Sequence, residues 1–255
     1  PGGESMSRSF VAPSFSAVDN YKNVTKWLAQ INHVDRISEL MRRAFYQLRT
    51  NKTGPVLLEV ALEVWTSELS GDLDYTPVRG SRSGADPQEV KEVVDVLLKA
   101  KRPVIHAGQG VMYAEATDDL EELAELLQAP VMTTMPGKSA FPEDHPLALG
   151  ASAVSTTKQI HHFLQEADVV FGVGCSFTRT SYGKTIPPGK VMIHSTNNPA
   201  DVNKDYSIDY GLIGDAKLVL QGVIGEIKAR TNGAGNRNDG SAAAEVQAVK
   251  REWLD

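Results

Sequence analysis

The chain reads as an α/β protein: an open parallel sheet with helices on both faces, accompanied by a partial αβ unit at the N-terminus. Three observations predict this. From Val104 onward, short apolar runs alternate with amphipathic ones: PVIHAG, DDLEELAELLQ, PVMTTM, STTKQIHHFLQEA, DVVFGVGC, KVMIHST, YGLIGD and AKLVLQGVIGEIKA. Strands that alternate with helices are the pattern of a parallel sheet, because parallel neighbours need a crossover. The helices also carry their own start signals. Asp86 before Pro87 suits an N-cap and first helical position, followed by an apolar stripe of Val90, Val93, Val94, Leu97 and Leu98. Asp215 suits the cap of a last helix in which Val219, Leu220, Val223, Ile224 and Ile227 recur at helical spacing. Third, an earlier block repeats the strand, helix, strand order on a smaller scale in YKNVTKWLAQI, VDRISELMRRAFYQL and GPVLLEVAL. The polar link TSELSGDLDYTPVRGSRSGAD separates the two blocks, RTNGAGNRNDGSAAA precedes a terminal helix, and no internal repeat is visible.

Composition narrows the classes. A chain of 255 residues is long enough for one large domain or two ordinary ones. Its net charge of -6 gives no electrostatic reason to expect nucleic acid or an anionic membrane as partner. No apolar run approaches the roughly 20 residues that span a bilayer, and the start PGGESMSRSF lacks a secretory pattern, so a soluble, cytoplasmic protein is expected. The single Cys175 excludes an intramolecular disulfide and reads as a small core residue at a strand end. The chain starts at Pro1 and stops within a helix-like run, which reads as a piece of a longer polypeptide.

Several strings resemble the thiamine-diphosphate-dependent enzymes of the acetolactate synthase type: VTKW (24–27), GPVLLEV (54–60), KRPVIHAGQG (101–110), SAFPEDHPLALG (139–150), EADVVFGVGCSF (166–177) and IGDAKLVL (213–220). They follow the family's order across nearly the whole chain. The resemblance implies that residues 1–65 are the C-terminal part of the pyrimidine-binding domain, 66–86 a linker, 87–232 the central Rossmann-like domain, and 233–255 a linker and the start of the diphosphate-binding domain. It further implies thiamine diphosphate and Mg2+ in the complete enzyme, a small 2-oxo acid as substrate, and a homodimer or homotetramer. In this family the cofactor-activating glutamate lies earlier and the metal-binding GDG motif later. Asp239 and Gly240 in NDGSAAA lack the motif's first glycine and downstream asparagine. No catalytic residue and no metal ligand is therefore expected in this chain. The family's FQE-x-D string is here FSAVD, with Phe15 and Asp19 kept and Ser16 and Ala17 replacing glutamine and glutamate. Another 2-oxo acid decarboxylase or carboligase of the same architecture fits as well as an acetolactate synthase. The alternative, from another class, is a non-catalytic nucleotide-binding or scaffold module.

The stretch VIHAGQGVMYAEATDDLEELAELL runs from a strand through a Gly-x-Gly turn into an amphipathic helix. Gly108 and Gly110 fill the first two places of a dinucleotide fingerprint, but Tyr113 stands in the third, and PVMTTMPG offers no ribose-binding acid about 20 residues on. A nicotinamide dinucleotide is not expected. Some relatives hold FAD in the central domain and others ADP or nothing. The resemblance carries over Gly108, Gln109, Gly110, Thr134, Gly174 and Asp215 as cofactor-binding positions, with Arg179 and Lys184 as the nearby cations. Ser176, Thr178 and Thr180 replace the charges of an RFDDR-like string, Thr196 or Asn197 stands where an acid is usual, and ASAVS replaces a glycine- and histidine-containing turn. Losing an arginine contact of about 1.5 to 3 kcal/mol weakens pyrophosphate binding by one to two decades. Weak ADP-type binding or none is expected over tightly held FAD; if the loop is vestigial, Gly110→Val should cost only turn strain of about 1 kcal/mol.

The six histidines form no metal motif, since adjacent His161 and His162 point about 100° apart on a helix. His145 is expected to fix a loop, and His106 and His194 to be core imidazoles. No Gly-x-Ser-x-Gly elbow or P-loop occurs, so hydrolase and kinase readings lack a motif.

Overall fold

The computed structural model describes residues 16–235 and 239–254. Phe15 of the FSAVD string lies outside them. The chain divides into two compact units at the Ser81/Arg82 boundary.

In the first unit, α1 (Ala17–Tyr21) is capped by Ser16, whose Oγ accepts from the Asp19 N–H at 3.2 Å. Strands β1 (Trp27–Ile31) and β2 (Val56–Val60) pair in parallel, with α2 (Ile37–Arg49) as their crossover. The short helix α3 (Leu62–Trp65) follows. Ile31, Leu40, Ala61 and Val64 form its small core. Lys26 donates to the Gln47 and Thr50 carbonyls, both at 2.6 Å, which satisfies the open C-terminal end of α2. The polar link is not free chain on this side. The Arg49 guanidinium donates to the Val78 carbonyl at 2.5 Å, and Ser81 N–H donates to Thr50 Oγ1 at 3.4 Å.

The second unit holds a six-stranded, all-parallel sheet in the order β5-β4-β3-β6-β7-β8. Its strands are β3 (Pro103–Ala107), β4 (Val131–Thr134), β5 (Ala148–Ser152), β6 (Val169–Val173), β7 (Val191–Thr196) and β8 (Tyr210–Ile213). Helices α4 (Pro87–Lys99), α6 (Thr117–Leu127) and α8 (Ala216–Thr231) cover one face, packing Val93, Leu97, Leu120, Leu123, Leu220 and Ile227 against Ile105, Phe171 and Ile193. On the other face α7 (Lys158–Glu166) brings Ile160, Phe163 and Leu164 onto Val104, Val170 and Met192, and the terminal helix α9 (Ser241–Leu254) adds Val246. The expected caps are in place: Asp86 accepts from the Gln88 N–H at 2.7 Å, and Asp215 from those of Lys217 and Leu218 at 3.2 and 3.4 Å.

Two elements differ from the sequence reading. The run after Gly110 is not one helix: α5 (Gln109–Tyr113) ends before Glu115, whose φ of 54° breaks the helix, and α6 starts afresh at Thr117. Strand β5 was not separable from its loop in the sequence. It is an edge strand whose register with β4 shifts between Val131 and Met132, and Gly150 within it has a φ of +96°, so it shows no alternation to recognise.

Candidate functional site

The strand order reverses between β3 and β6, and ligands of open parallel sheets gather at the carboxyl ends of such a pair. Gly108 follows β3 and Gly174 follows β6. The two turns are packed into each other. A Cβ on Gly108 would lie 2.3 Å from the Gly174 carbonyl oxygen and 2.6 Å from Cys175 Cα, and one on Gly110 would lie 2.8 Å from Gly174 Cα. The turn after β4 closes on the same point, because a Cβ on Gly137 would be 2.7 Å from the Gly108 carbonyl carbon. Gly108 has a φ of -107°, which any residue adopts, so what demands glycine here is close approach. Gly174, at φ +60°, needs it for conformation as well. Gly137 belongs to this joint although no fingerprint spacing marks it.

The joint's amides are largely committed. Gly108 N–H donates to the Val173 carbonyl at 2.8 Å, Gly110 N–H to that of Gly174 at 2.9 Å, and Gly174 N–H to that of Ser195 at 3.0 Å. Thr134 Oγ1 accepts from the Gly137 N–H at 3.0 Å. A phosphate cradle needs such N–H groups turned toward the ligand; those of Gly108 and Gly110 are turned toward β6. The expectation that Gly110→Val would meet only turn strain is thus corrected, because the added carbon meets backbone.

The structure brings Gly108, Gln109, Gly110, Thr134 and Gly174 together, with Gln109 exposed. The remaining candidates have partners of their own. The Arg179 guanidinium lies 4.5 Å over the Tyr206 ring, and its backbone N–H donates to Asp205 Oδ2 at 2.8 Å. Lys184 Nζ meets His161 Nδ1 at 3.4 Å. Asp215 is occupied as the α8 cap and sits 3.8 Å from the Arg82 guanidinium. Ser176 and Thr178 hydroxyls bond each other at 2.7 Å, and Lys204 donates to Thr178 at 2.7 Å.

On the α7 face, the register aligns His106, Gly172 and His194 across β3, β6 and β7. Gly172 makes room for Phe177, whose ring would be 2.3 Å from a Cβ there and which packs 5.7 Å from His106 and 4.8 Å from His194. Phe177 is held at a φ of 45°, a conformation costing a bulky residue about 1–3 kcal/mol. Burial, then the neighbouring His194, pushes His106 down to about 4. His194 is lowered by burial too; its Nε2 donates to the Cys175 carbonyl at 2.8 Å. Neither His106 nitrogen has a partner among the described residues. Both imidazoles are therefore neutral core groups. Burial drives the Cys175 thiol up to about 12, which removes it as a nucleophile. His145 fixes its loop, accepting from the Leu147 N–H at 3.2 Å and packing edge-on against Phe141.

His162, Glu166 and Glu245 converge closely enough for a metal ion. The cation there is a guanidinium, with Arg102 Nη2 at 2.9 Å from Glu166 and 2.7 Å from Glu245. Asp239 accepts from the Ser241 N–H and Oγ at 3.0 and 2.8 Å, at the start of α9. The Asp239 carboxylate is thus engaged by Ser241, and no step of thiamine chemistry can be drawn through the residues described.

The model of the thiamine pyrophosphate enzyme central domain matches residues 90–223, more than half of the chain. The chain belongs to this family. Among relatives of this chain are a probable acetolactate synthase large subunit of Methanococcus aeolicus, 34% identical, with 83% of this chain and 37% of that protein covered, and a glyoxylate carboligase of Escherichia coli O157:H7, 30% identical, with 81% and 36% covered. The crystal structure of benzoylformate decarboxylase from Polynucleobacter necessarius superimposes with a TM-score of 0.73 at 25% identity, over 86% of this chain and 42% of that one. The family chain thus spans well under half the length of each. No described helix is long and apolar enough to cross a membrane.

Proposed function

We propose that this chain is the central part of a thiamine-diphosphate-dependent 2-oxo acid decarboxylase or carboligase, flanked by the end of a pyrimidine-binding domain (1–65) and the lead-in to a diphosphate-binding domain (233–255). The observation that carries the reading is the match of residues 90–223 to the central-domain family, in an all-parallel sheet with helices on both faces. The complete enzyme binds thiamine diphosphate and Mg2+ mainly through segments outside this chain and works as a homodimer or homotetramer in the cytoplasm. Within the central domain, the Gly108–Gly110 turn is a packing joint that holds ADP weakly or nothing, and does not hold FAD tightly. Its engaged amides support this, as do the hydroxyls of Ser176 and Thr178 in place of charges.

The test is release of labelled CO2 from pyruvate, glyoxylate and benzoylformate by the complete polypeptide, with and without thiamine diphosphate and Mg2+. Cofactor-dependent release from at least one of them is expected, and none from the 255-residue chain alone. Absence of release from all three by the complete polypeptide would favour a non-catalytic module.

A further inference from the structure

The connection from β6 to β7, residues 174–190, contains no helix or strand and leaves the sheet at the carboxyl end of β6, the side on which open parallel sheets bind ligands. Thr178 to Tyr182 are exposed, and the connection meets the body through two apolar anchors, Phe177 and Ile186, both buried. Its other fastenings are single polar contacts. The Arg179 N–H donates to Asp205, Lys204 donates to Thr178, and the Ile186 N–H donates to the Tyr206 hydroxyl at 3.2 Å. On the far side the Tyr182 carbonyl accepts from the Val154 N–H at 2.9 Å, and Lys184 meets His161.

The two anchors are not equal. Of the pair, Phe177 alone is held at a positive φ, which strains a bulky residue. Its ring fills a notch that exists because β6 has glycine at 172, between the rings of His106, His194 and Tyr206. Neither His106 nitrogen has a partner among the described residues, nor has His194 Nδ1. A buried nitrogen left unpaired is costly. The seated position of Phe177 therefore carries two costs that its departure relieves, because the backbone relaxes and water gains a way to the imidazoles. Against them stand the burial of one phenyl ring and its contacts with its neighbours. Opposing contributions of similar size are what make an element bistable.

We propose that residues 176–186 form a lid with Phe177 as its latch: when the ring leaves the notch the segment lifts as one piece and uncovers a slot lined by His106, Gly172 and His194 on β3, β6 and β7. The glycine joint stays closed in this motion, since Gly174 lies outside the lid and its N–H remains on the Ser195 carbonyl. Lids of this kind are loop segments that move against a fixed scaffold.

Native-state hydrogen exchange of the 255-residue chain, followed by NMR, tests this through the amides of Arg179 and Ile186, which are fastened to different partners. One opening constant shared by both, well above that of the β6 amides, is expected. Tyr206→Phe removes the hydroxyl that holds Ile186 and keeps the ring, and should speed both amides about tenfold. Gly172→Ala places a carbon where the Phe177 ring lies and should evict the latch. Both amides should again speed about tenfold or more while the β3 amides stay protected. The His106 ring, on which His194 is the one titratable neighbour that acts, should then titrate toward about 6.5 instead of about 4. Separate opening constants for the two amides, protection equal to that of β6, acceleration of Ile186 alone in Tyr206→Phe, or a folded Gly172→Ala protein in which His106 still titrates at about 4 would each overturn the proposal.

Discussion

Gly108, Gly110 and Gly174 show how a residue's type can be legible while its reason is not. The Gly-x-Gly spacing marks a turn at the switch point, and the structure has that turn. What the spacing cannot show is that Gly174, 64 positions from Gly110, arrives as the wall against which both glycines pack. Gly110→Val should therefore destabilise the second unit by about 1–3 kcal/mol, measured by urea denaturation; a loss below about 0.5 kcal/mol would mean the joint can open freely. His106 makes a second prediction. Its folded pKa of about 4 lies below the usual unfolded value of about 6.5, so the unfolded chain binds the extra proton in between. Stability is full above about pH 6.5 and falls as pH drops toward 4, by about 3 kcal/mol from this one group. Replacing it in His106→Phe should flatten that part of the pH–stability curve, and an unchanged slope would show that His106 is not the group responsible.

At the scale of elements, the sequence shows best what is periodic and capped. Helices α4 and α8 carry a capping aspartate and an apolar stripe, and both appear where those signals put them. Strand β5 escaped because a register shift and a left-handed glycine erase alternation, and the α5–α6 break escaped because Glu115 is not a breaker by type. Helix α9 was visible as a helix but not in its anchoring. It is held on α7 by Arg102, which joins Glu166 and Glu245, and by His162 Nε2 at 2.7 Å from Glu245. These groups are a third to a half exposed, so the whole network is worth only about 1 kcal/mol. Arg102→Met should accordingly speed hydrogen exchange of α9 amides about fivefold while leaving β3 and β6 amides unchanged. Uniform acceleration across the sheet would mean that Arg102 supports the core instead of the helix.

For the molecule as a whole, a break between two blocks was legible in the sequence as a polar link between two runs of apolar periodicity, and the structure divides within that link, at Ser81/Arg82. The notch under Phe177 was not legible, since His106, Gly172 and His194 line up only when β3, β6 and β7 are paired. Among the described residues the buried Cys175 thiol is held protonated, the buried imidazoles of His106 and His194 are held neutral, and Asp239 is engaged by Ser241. The central claim is that the chain contributes a structural central domain and not the thiamine site. Calorimetric titration with thiamine diphosphate in the presence of Mg2+ tests it most directly. The account predicts no saturable heat from the 255-residue chain and one site per chain in the complete polypeptide; stoichiometric binding by the 255-residue chain alone would contradict it.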